Sequence, residues 1–144
     1  MSSVQLARLL PAALSFPIAL VSLRMAWKGL FARTWLPFHS AAAETSWDAL
    51  SPRLRALLLF QVRMVGLGFL VEFLLLAAVP ISLFRRPDLL VTLAVFGIGT
   101  TFCIGLGVLT RRLHRETGAA TPWKACFTAA GLLALAAVLA ILAG

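Results

Sequence analysis

The chain has 144 residues, of which 61% are hydrophobic and 12% are charged, and its mean hydropathy is +0.98. Soluble domains are about 45–50% apolar and about 25% charged, and a small domain cannot bury so much apolar surface. The composition excludes a soluble enzyme, a disordered tail and a disulfide scaffold, and it predicts a multi-pass membrane protein. The net charge of +8 is expected to contact anionic lipid headgroups of the bilayer rather than nucleic acid, because no basic run is interleaved with aromatic residues.

Four apolar segments predict an all-α fold, a single-domain four-helix transmembrane bundle. A hydrocarbon core about 30 Å thick requires roughly 20 helical residues to cross. The first segment is interrupted by Pro11 and Pro17. We expect it to be a retained span rather than a cleaved signal peptide, because Arg24, Trp27 and Lys28 follow it without a small-residue cleavage pattern. The predicted helices cover residues 6–27, 52–84, 88–116 and 122–143.

Capping residues mark the predicted helix ends. The dipeptides Ser51-Pro52 and Thr121-Pro122 place a capping hydroxyl before a proline, which is typical of a helix start. Asp88 is a predicted N-cap for the third helix, directly after a tight turn at residues 85–87. Gly118 is a predicted stop after that helix, because glycine readily adopts the left-handed conformation that ends helices.

The distribution of basic residues predicts the orientation in the membrane. Nine basic residues lie in or beside the connections between the first and second helices and between the third and fourth, and three lie on the opposite side. The positive-inside rule therefore places both termini outside and both long connections in the cytoplasm of a bacterial inner membrane. The nine are Arg24, Lys28, Arg33, Arg53, Arg55, Arg111, Arg112, Arg115 and Lys124, and the three are Arg8, Arg85 and Arg86.

All four tryptophans and both histidines fall on the same side as the nine basic residues. Tryptophan favours the membrane interface because its ring is apolar and its N–H needs a partner. One interpretation is an aromatic belt, in which residues 46–50 form a short interfacial turn. The other is a face comprising His39, Glu44, Trp47 and His114 that meets a partner or a substrate. The spacing matches no metal site and neither histidine lies in a span, so no metal, haem or other cofactor is expected.

Glu72 lies near the middle of the second predicted helix among apolar neighbours. A carboxylate at that depth costs roughly 2.5–3.5 kcal/mol on insertion scales, and Arg63 projects from the opposite face of the helix. We expect Glu72 to be protonated or to face a wet cavity. Matching the helix midpoints predicts Ser15, Thr100 and Thr101 as its neighbours. The site could be a structural clasp, a proton- or cation-handling group, or a contact with a partner subunit.

The third predicted helix carries small residues four positions apart, a spacing that allows close approach of helix backbones. We expect Gly99 and Gly105 to lie at helix contacts, either within the chain or with a second copy or another membrane protein. The two rows are Gly97, Thr101 and Gly105, and Gly99, Cys103 and Gly107.

A motif follows the long first connection. It begins with Trp47-Asp48-Ala49-Leu50-Ser51-Pro52 and continues into a span that opens with Arg63 and the pair Gly66 and Gly68. Over about residues 35–80 the chain resembles small uncharacterised four-helix bacterial membrane proteins of a DoxX-like group. The resemblance implies a four-helix bundle and assigns no catalytic residue.

These features favour a non-enzymatic accessory or structural membrane protein that could form a homo-oligomer. One alternative is proton-linked transport of a small molecule or ion by an oligomer that uses Glu72. The other is a membrane-embedded enzyme acting on a lipid-like substrate at the Trp- and His-rich face. Hydration around Glu72 would favour transport, whereas a cleft joining His39, Glu44 and His114 would favour the enzyme.

Overall fold

The structure, a computed structural model, describes residues 3–84 and 88–143, and it confirms an all-helical chain over those ranges. The predicted turn at residues 85–87 lies outside them. Four of the helices are long and apolar enough to cross a membrane, which supports a multi-pass membrane protein. The helices are α1 (Ser3–Leu30), α2 (Pro37–Ala43), α3 (Pro52–Phe84), α4 (Leu89–Thr117) and α5 (Trp123–Leu142), with a 3₁₀ turn at Trp47–Ala49.

Three of the predicted helix ends are confirmed by their hydrogen bonds and backbone angles. The Ser51 hydroxyl accepts from the backbone N–H of Leu54 at 3.3 Å. The Asp88 carboxylate accepts from the backbone N–H of Val91 at 3.0 Å. Gly118 ends α4 with a φ of +71°, a left-handed conformation that a side chain would strain.

Thr121 does not cap α5, contrary to the prediction. Its hydroxyl donates to the carbonyl of Thr110 in α4 at 2.8 Å, and Pro122 precedes the first helical residue without a side-chain cap. The hydroxyl therefore joins the start of α5 to the preceding helix. The predicted short turn at residues 46–50 is confirmed as the 3₁₀ turn, whereas α2 was not predicted.

The four long helices form a closed antiparallel ring. α1 packs on α3, α3 on α4, α4 on α5, and α5 on α1, and the contact between α3 and α4 is the sparsest of the four. The core includes Ile18, Leu76, Phe96, Leu133 and Ala136. Many large apolar side chains remain exposed on the outer faces of the same helices, which suits a lipid environment rather than water. The connections at residues 31–51 and 118–122 share one end of the bundle, called here the loop end.

α1 and α3 meet backbone to backbone at Gly29 and Gly66. A Cβ added to Gly66 would lie 2.7 Å from the backbone nitrogen of Leu30, and one added to Gly29 would lie 2.7 Å from the Cα of Gly66. Ser22 lies seven residues before Gly29, and Ser15 lies fourteen residues before it. Both serines are buried on the same face of α1. This seven-residue spacing is typical of helices that pack in a left-handed pair.

The two small-residue rows of α4 face in opposite directions. Rows two positions apart differ by about 200° around a helix, so only one can face the core. A Cβ on Gly99 would lie 3.1 Å from Leu133 Cδ1, which confirms the predicted close contact. Gly105 makes no such contact within the chain, because this residue is exposed and a Cβ there would meet nothing within 4 Å; a contact of Gly105 with a second copy or another membrane protein stays a prediction. The buried row is Gly99, Cys103 and Gly107, and the exposed row is Gly97, Thr101 and Gly105.

The glycine contacts predict opposite effects of one substitution at two positions. Gly66→Ala should destabilise the bundle by roughly 1–3 kcal/mol, because its methyl group meets backbone atoms that cannot rotate away. Gly105→Ala should leave stability unchanged or raise it by up to about 1 kcal/mol, because alanine has the higher helix propensity and the space is open. Unfolding of the detergent-solubilised variants measures both. Equal unfolding of the two variants would contradict the Gly29–Gly66 contact.

Candidate functional site

Glu72 lies in the core at the junction of α1, α3 and α4, and it is only 4% exposed. The Ser22 hydroxyl of α1 donates to Oε2 at 2.8 Å, and the Cys103 thiol of α4 donates to Oε1 at 3.2 Å. Over the described ranges the two ion pairs lie elsewhere, between Arg55 and Asp48 and between Arg112 and Glu116. Glu72 therefore links three helices through uncharged partners.

The residues that contact Glu72 differ from those expected. Ser15 is buried, but its hydroxyl donates to the carbonyl of Ala12 within α1 at 3.1 Å. Thr101 is exposed, and its hydroxyl donates to the carbonyl of Gly97 within α4 at 2.8 Å. Thr100 is half-buried. The helices that approach Glu72 are the expected ones, but the contacting side chains are others.

The difference arises from the register of α1 against α3. The expectation aligned Glu72 with the middle of α1. In the structure the contact between Gly29 and Gly66 fixes the register, so Ser22, seven residues before Gly29, meets Glu72, six residues after Gly66. Ser15 lies two turns further along α1, about 10 Å away along the helix axis. The spacing of Ser15, Ser22 and Gly29 is the sequence signal that could have identified Ser22.

A second cluster lies under α2 at the loop end. The rings of Trp35 and Trp47 are 5.7 Å apart, and those of Trp35 and His39 are 6.3 Å apart. The backbone N–H of Leu36 donates to His39 Nδ1 at 3.3 Å, so Nε2 carries the proton of the neutral ring. Burial lowers the pKa of His39, which favours this neutral form at neutral pH.

A cavity of about 740 Å³ lies beneath α2, between α1, α3 and α4. Most of its lining is apolar, and the polar exceptions include Lys28, Gln61 and Trp35. Trp35 is 9% exposed, and its Nε1–H is buried without a hydrogen-bond partner among the described residues. A buried donor without an acceptor is costly. Bulky apolar residues in the lining include Met25, Phe38, Phe60, Met64, Phe69 and Leu106.

A groove of about 350 Å³ lies beside this cavity, along the contact between α3 and α4. Met64 lines both the cavity and the groove, and the groove continues past Glu72 to Leu75 and Leu76. Phe69, which lines the cavity, packs edge-on against Phe102, which lines the groove, with ring centres 5.3 Å apart. The sparse α3–α4 contact therefore contains two neighbouring spaces, one beneath α2 and one that reaches Glu72 and the turn beyond it.

The other expected interfacial residues do not line the cavity. His114 Nδ1–H donates to the carbonyl of Ala119 at 2.7 Å, and its ring lies 6.4 Å from that of Trp123. Glu44 is exposed and ends α2 with a φ of 49°. Of the three residues whose joint cleft would have favoured an enzyme, only His39 lines the cavity. Within residues 3–84 and 88–143, no group of three or more His, Cys, Asp and Glu side chains could hold a metal ion.

Comparison of the chain with protein-family models, with curated proteins and with solved structures finds no match.

The hydrogen bond between Ser22 and Glu72 predicts a measurable coupling. In a double-mutant cycle, Ser22→Ala and Glu72→Leu should show a coupling energy of about 0.6 to 1.7 kcal/mol, because removal of either partner removes the same bond. Unfolding in detergent measures each variant.

Ser15→Ala is the matched control for this cycle. It also removes a buried hydroxyl from α1, but that hydroxyl bonds within its own helix. The effects of Ser15→Ala and Glu72→Leu should therefore add to within about 0.5 kcal/mol. Additivity in the Ser22 cycle as well would disprove the clasp.

Proposed function

We propose that the chain is a non-enzymatic accessory protein of a bacterial inner membrane, and that it acts by holding a lipid-like molecule in the cavity beneath α2. The cavity itself is the observation that carries this proposal. Ligand sites are commonly cavities of about 300–1,000 Å³ with mostly apolar walls and a few polar groups, and this cavity has both properties. The resemblance to DoxX-like membrane proteins supports the bacterial setting.

The composition of the cavity wall favours binding over catalysis. Among the described residues the lining contains no carboxylate and no thiol. The hydroxyl of Thr110 donates to the carbonyl of Leu106 at 2.6 Å, so it is already engaged. A nucleophile paired with a general base is the usual requirement of a hydrolytic site, and the lining offers His39 without such a partner.

Proton-linked transport by an oligomer is the second candidate. The groove that reaches Glu72 supports it, because a carboxyl group that lines an open groove can exchange protons more readily than one sealed in the core. The accessory role is favoured because Ser22 and Cys103 already occupy one carboxyl oxygen each. These two hydrogen bonds make Glu72 a link between α1, α3 and α4, which is a structural role.

We further propose that both termini lie outside the cytoplasm, with the loop end inside. The charge distribution supports this orientation, because the loop end carries most of the basic residues. A reporter that is active only in the cytoplasm should be inactive when fused after Gly144, and active when inserted into the exposed 3₁₀ turn at Asp48. The reverse pattern would overturn the orientation.

Cavity occupancy is tested by a pair of substitutions on α2. Ala42 lines the cavity, whereas its neighbour Ala41 is exposed and does not. Ala42→Trp should fill the space and abolish the lipid adduct seen by native mass spectrometry after detergent exchange. Ala41→Trp should retain the adduct at the level of the parent protein. Equal adducts on both variants, or none on the parent, would contradict the proposal.

A further inference from the structure

We propose that α2 is a pH-sensitive lid on the cavity beneath it, held closed by the neutral ring of His39 and released when that ring takes up a proton. This inference rests on the proposed function, since it names the regulation of the same cavity. Three observations carry it: His39 accepts a hydrogen bond at the start of α2, it lines the cavity, and none of the residues of α2 is buried.

A reciprocal pair of hydrogen bonds holds the start of α2. The backbone N–H of His39 donates to the carbonyl of Leu36 at 2.9 Å, and the backbone N–H of Leu36 donates back to Nδ1 of His39 at 3.3 Å. This is the arrangement of a capping box, in which glutamate or glutamine normally supplies the returning acceptor. Leu36 has no side-chain acceptor of its own, so the imidazole supplies the side-chain bond at this helix end.

Protonation of His39 removes the acceptor from this pair. A neutral imidazole has one acceptor nitrogen, whereas both nitrogens of imidazolium are donors. The added proton goes to Nδ1, where it faces the N–H of Leu36, so repulsion between two donors replaces the hydrogen bond. A positive charge is also unfavourable in the first turn of a helix, towards which the backbone N–H groups point. Acid therefore breaks the cap of α2.

α2 has few other interactions that keep it over the cavity. Its seven residues are half-buried or exposed, and it reaches the cavity through Phe38, His39, Ala42 and Ala43. It ends at Glu44 with a φ of 49°, a left-handed conformation that is unfavourable for a residue with a side chain. Isolated helices need about 12–15 residues to be even marginally stable. A helix of half that length depends on its cap and on its contacts with the bundle.

The surroundings of His39 favour the neutral ring at neutral pH. Burial lowers its pKa from the ordinary value of about 6.5. Among the described residues, α1 contributes Lys28 to the cavity lining, whereas α3 and α4 contribute no acid or base to it. On the segment of His39 itself, Glu44 is exposed and Asp48 pairs with Arg55, and neither acid lines the cavity. A cation in the same cavity and the lack of a facing carboxylate both disfavour imidazolium.

The direction of the pH effect follows from this lowered pKa. Above about pH 6.5, His39 is neutral whether α2 is closed or released, so the capping bond stabilises the closed form fully. Below that pH, the released ring takes up a proton before the capped ring does. The equilibrium then shifts towards the open form by up to about tenfold per pH unit, until the pH falls below the lowered pKa of the capped ring. Mild acid therefore opens the cavity.

Hydrogen exchange of the full chain in detergent micelles tests the lid. The backbone N–H groups of residues 38–43 are followed by mass spectrometry at about pH 7.5 and about pH 5.5. Parent and variant are compared at the same pH, so that the intrinsic exchange rate cancels. His39→Gln keeps an acceptor that does not titrate. The two proteins should exchange alike at the higher pH, and the parent should exchange about threefold to tenfold faster at the lower. Equal exchange at both would overturn the lid.

His114 provides the matched control, because it is the other histidine of the chain. Its Nδ1–H donates to the carbonyl of Ala119 at 2.7 Å. A proton added to this ring goes to Nε2 and leaves that bond intact. His114→Gln should therefore keep the acid response of the parent in α2. If His114→Gln loses the response while His39→Gln keeps it, acid does not act through the cap and the proposal is disproved.

A second measurement needs no variant. In the parent protein labelled with ¹⁵N at its imidazoles, Nδ1 of His39 should be unprotonated at neutral pH. Its protonation should have the same midpoint as the acid-induced exchange of residues 38–43, because one proton causes both changes. A proton on Nδ1 at neutral pH, or two different midpoints, would contradict the proposal.

Lipid retention separates the lid from the proposed function. The parent should keep its lipid adduct in native mass spectrometry when detergent exchange is done at about pH 7.5, and lose most of it at about pH 5.5. His39→Gln should retain the same amount at both. Equal retention by the parent at the two pH values would overturn the lid and leave the proposed function standing. No adduct at either pH, with exchange still dependent on His39, would overturn the proposed function and leave the lid.

Discussion

The backbone contact between Gly29 and Gly66 is the constraint on which the rest of the structure depends. Because neither residue carries a side chain, α1 and α3 approach until their main chains touch, and this contact fixes their relative position along the axis. Ser22 is thereby placed against Glu72. α1 ends at Leu30, directly after the contact, so the connection must return across the end of α3, which brings Trp35 and α2 over the cavity.

The opposite edge of α3 shows what happens without such a glycine pair. There Gly68 faces the ring of Phe102 rather than a second glycine, with a Cβ position 3.1 Å from the ring. An aromatic ring between two helices holds their backbones apart. α3 and α4 therefore touch at a few bulky side chains, such as Phe69 against Phe102, and space remains between these contacts. The same helix is thus tightly packed on one side and open on the other.

Sequence reasoning identified the features that depend on neighbouring residues in the chain. The four long helices and the caps at Ser51, Asp88 and Gly118 follow from apolar length and local hydrogen bonding. Helix rotation and register do not. The two small-residue rows of α4 are equivalent as patterns, and only packing against Leu133 selects the row that contains Gly99. α2 escaped prediction because seven residues are too few to show a helical period, and the cavity depends on elements far apart in sequence.

The position of Ser22 on α1 has a consequence for biogenesis. Chain synthesis delivers α1 to the membrane before α3, so a hydroxyl partner is already present when the carboxyl group of Glu72 leaves the aqueous translocation path. Cys103 arrives later with α4. The α1–α3 hairpin therefore contains, within itself, one of the two hydrogen bonds made to Glu72, and the second becomes available only with α4.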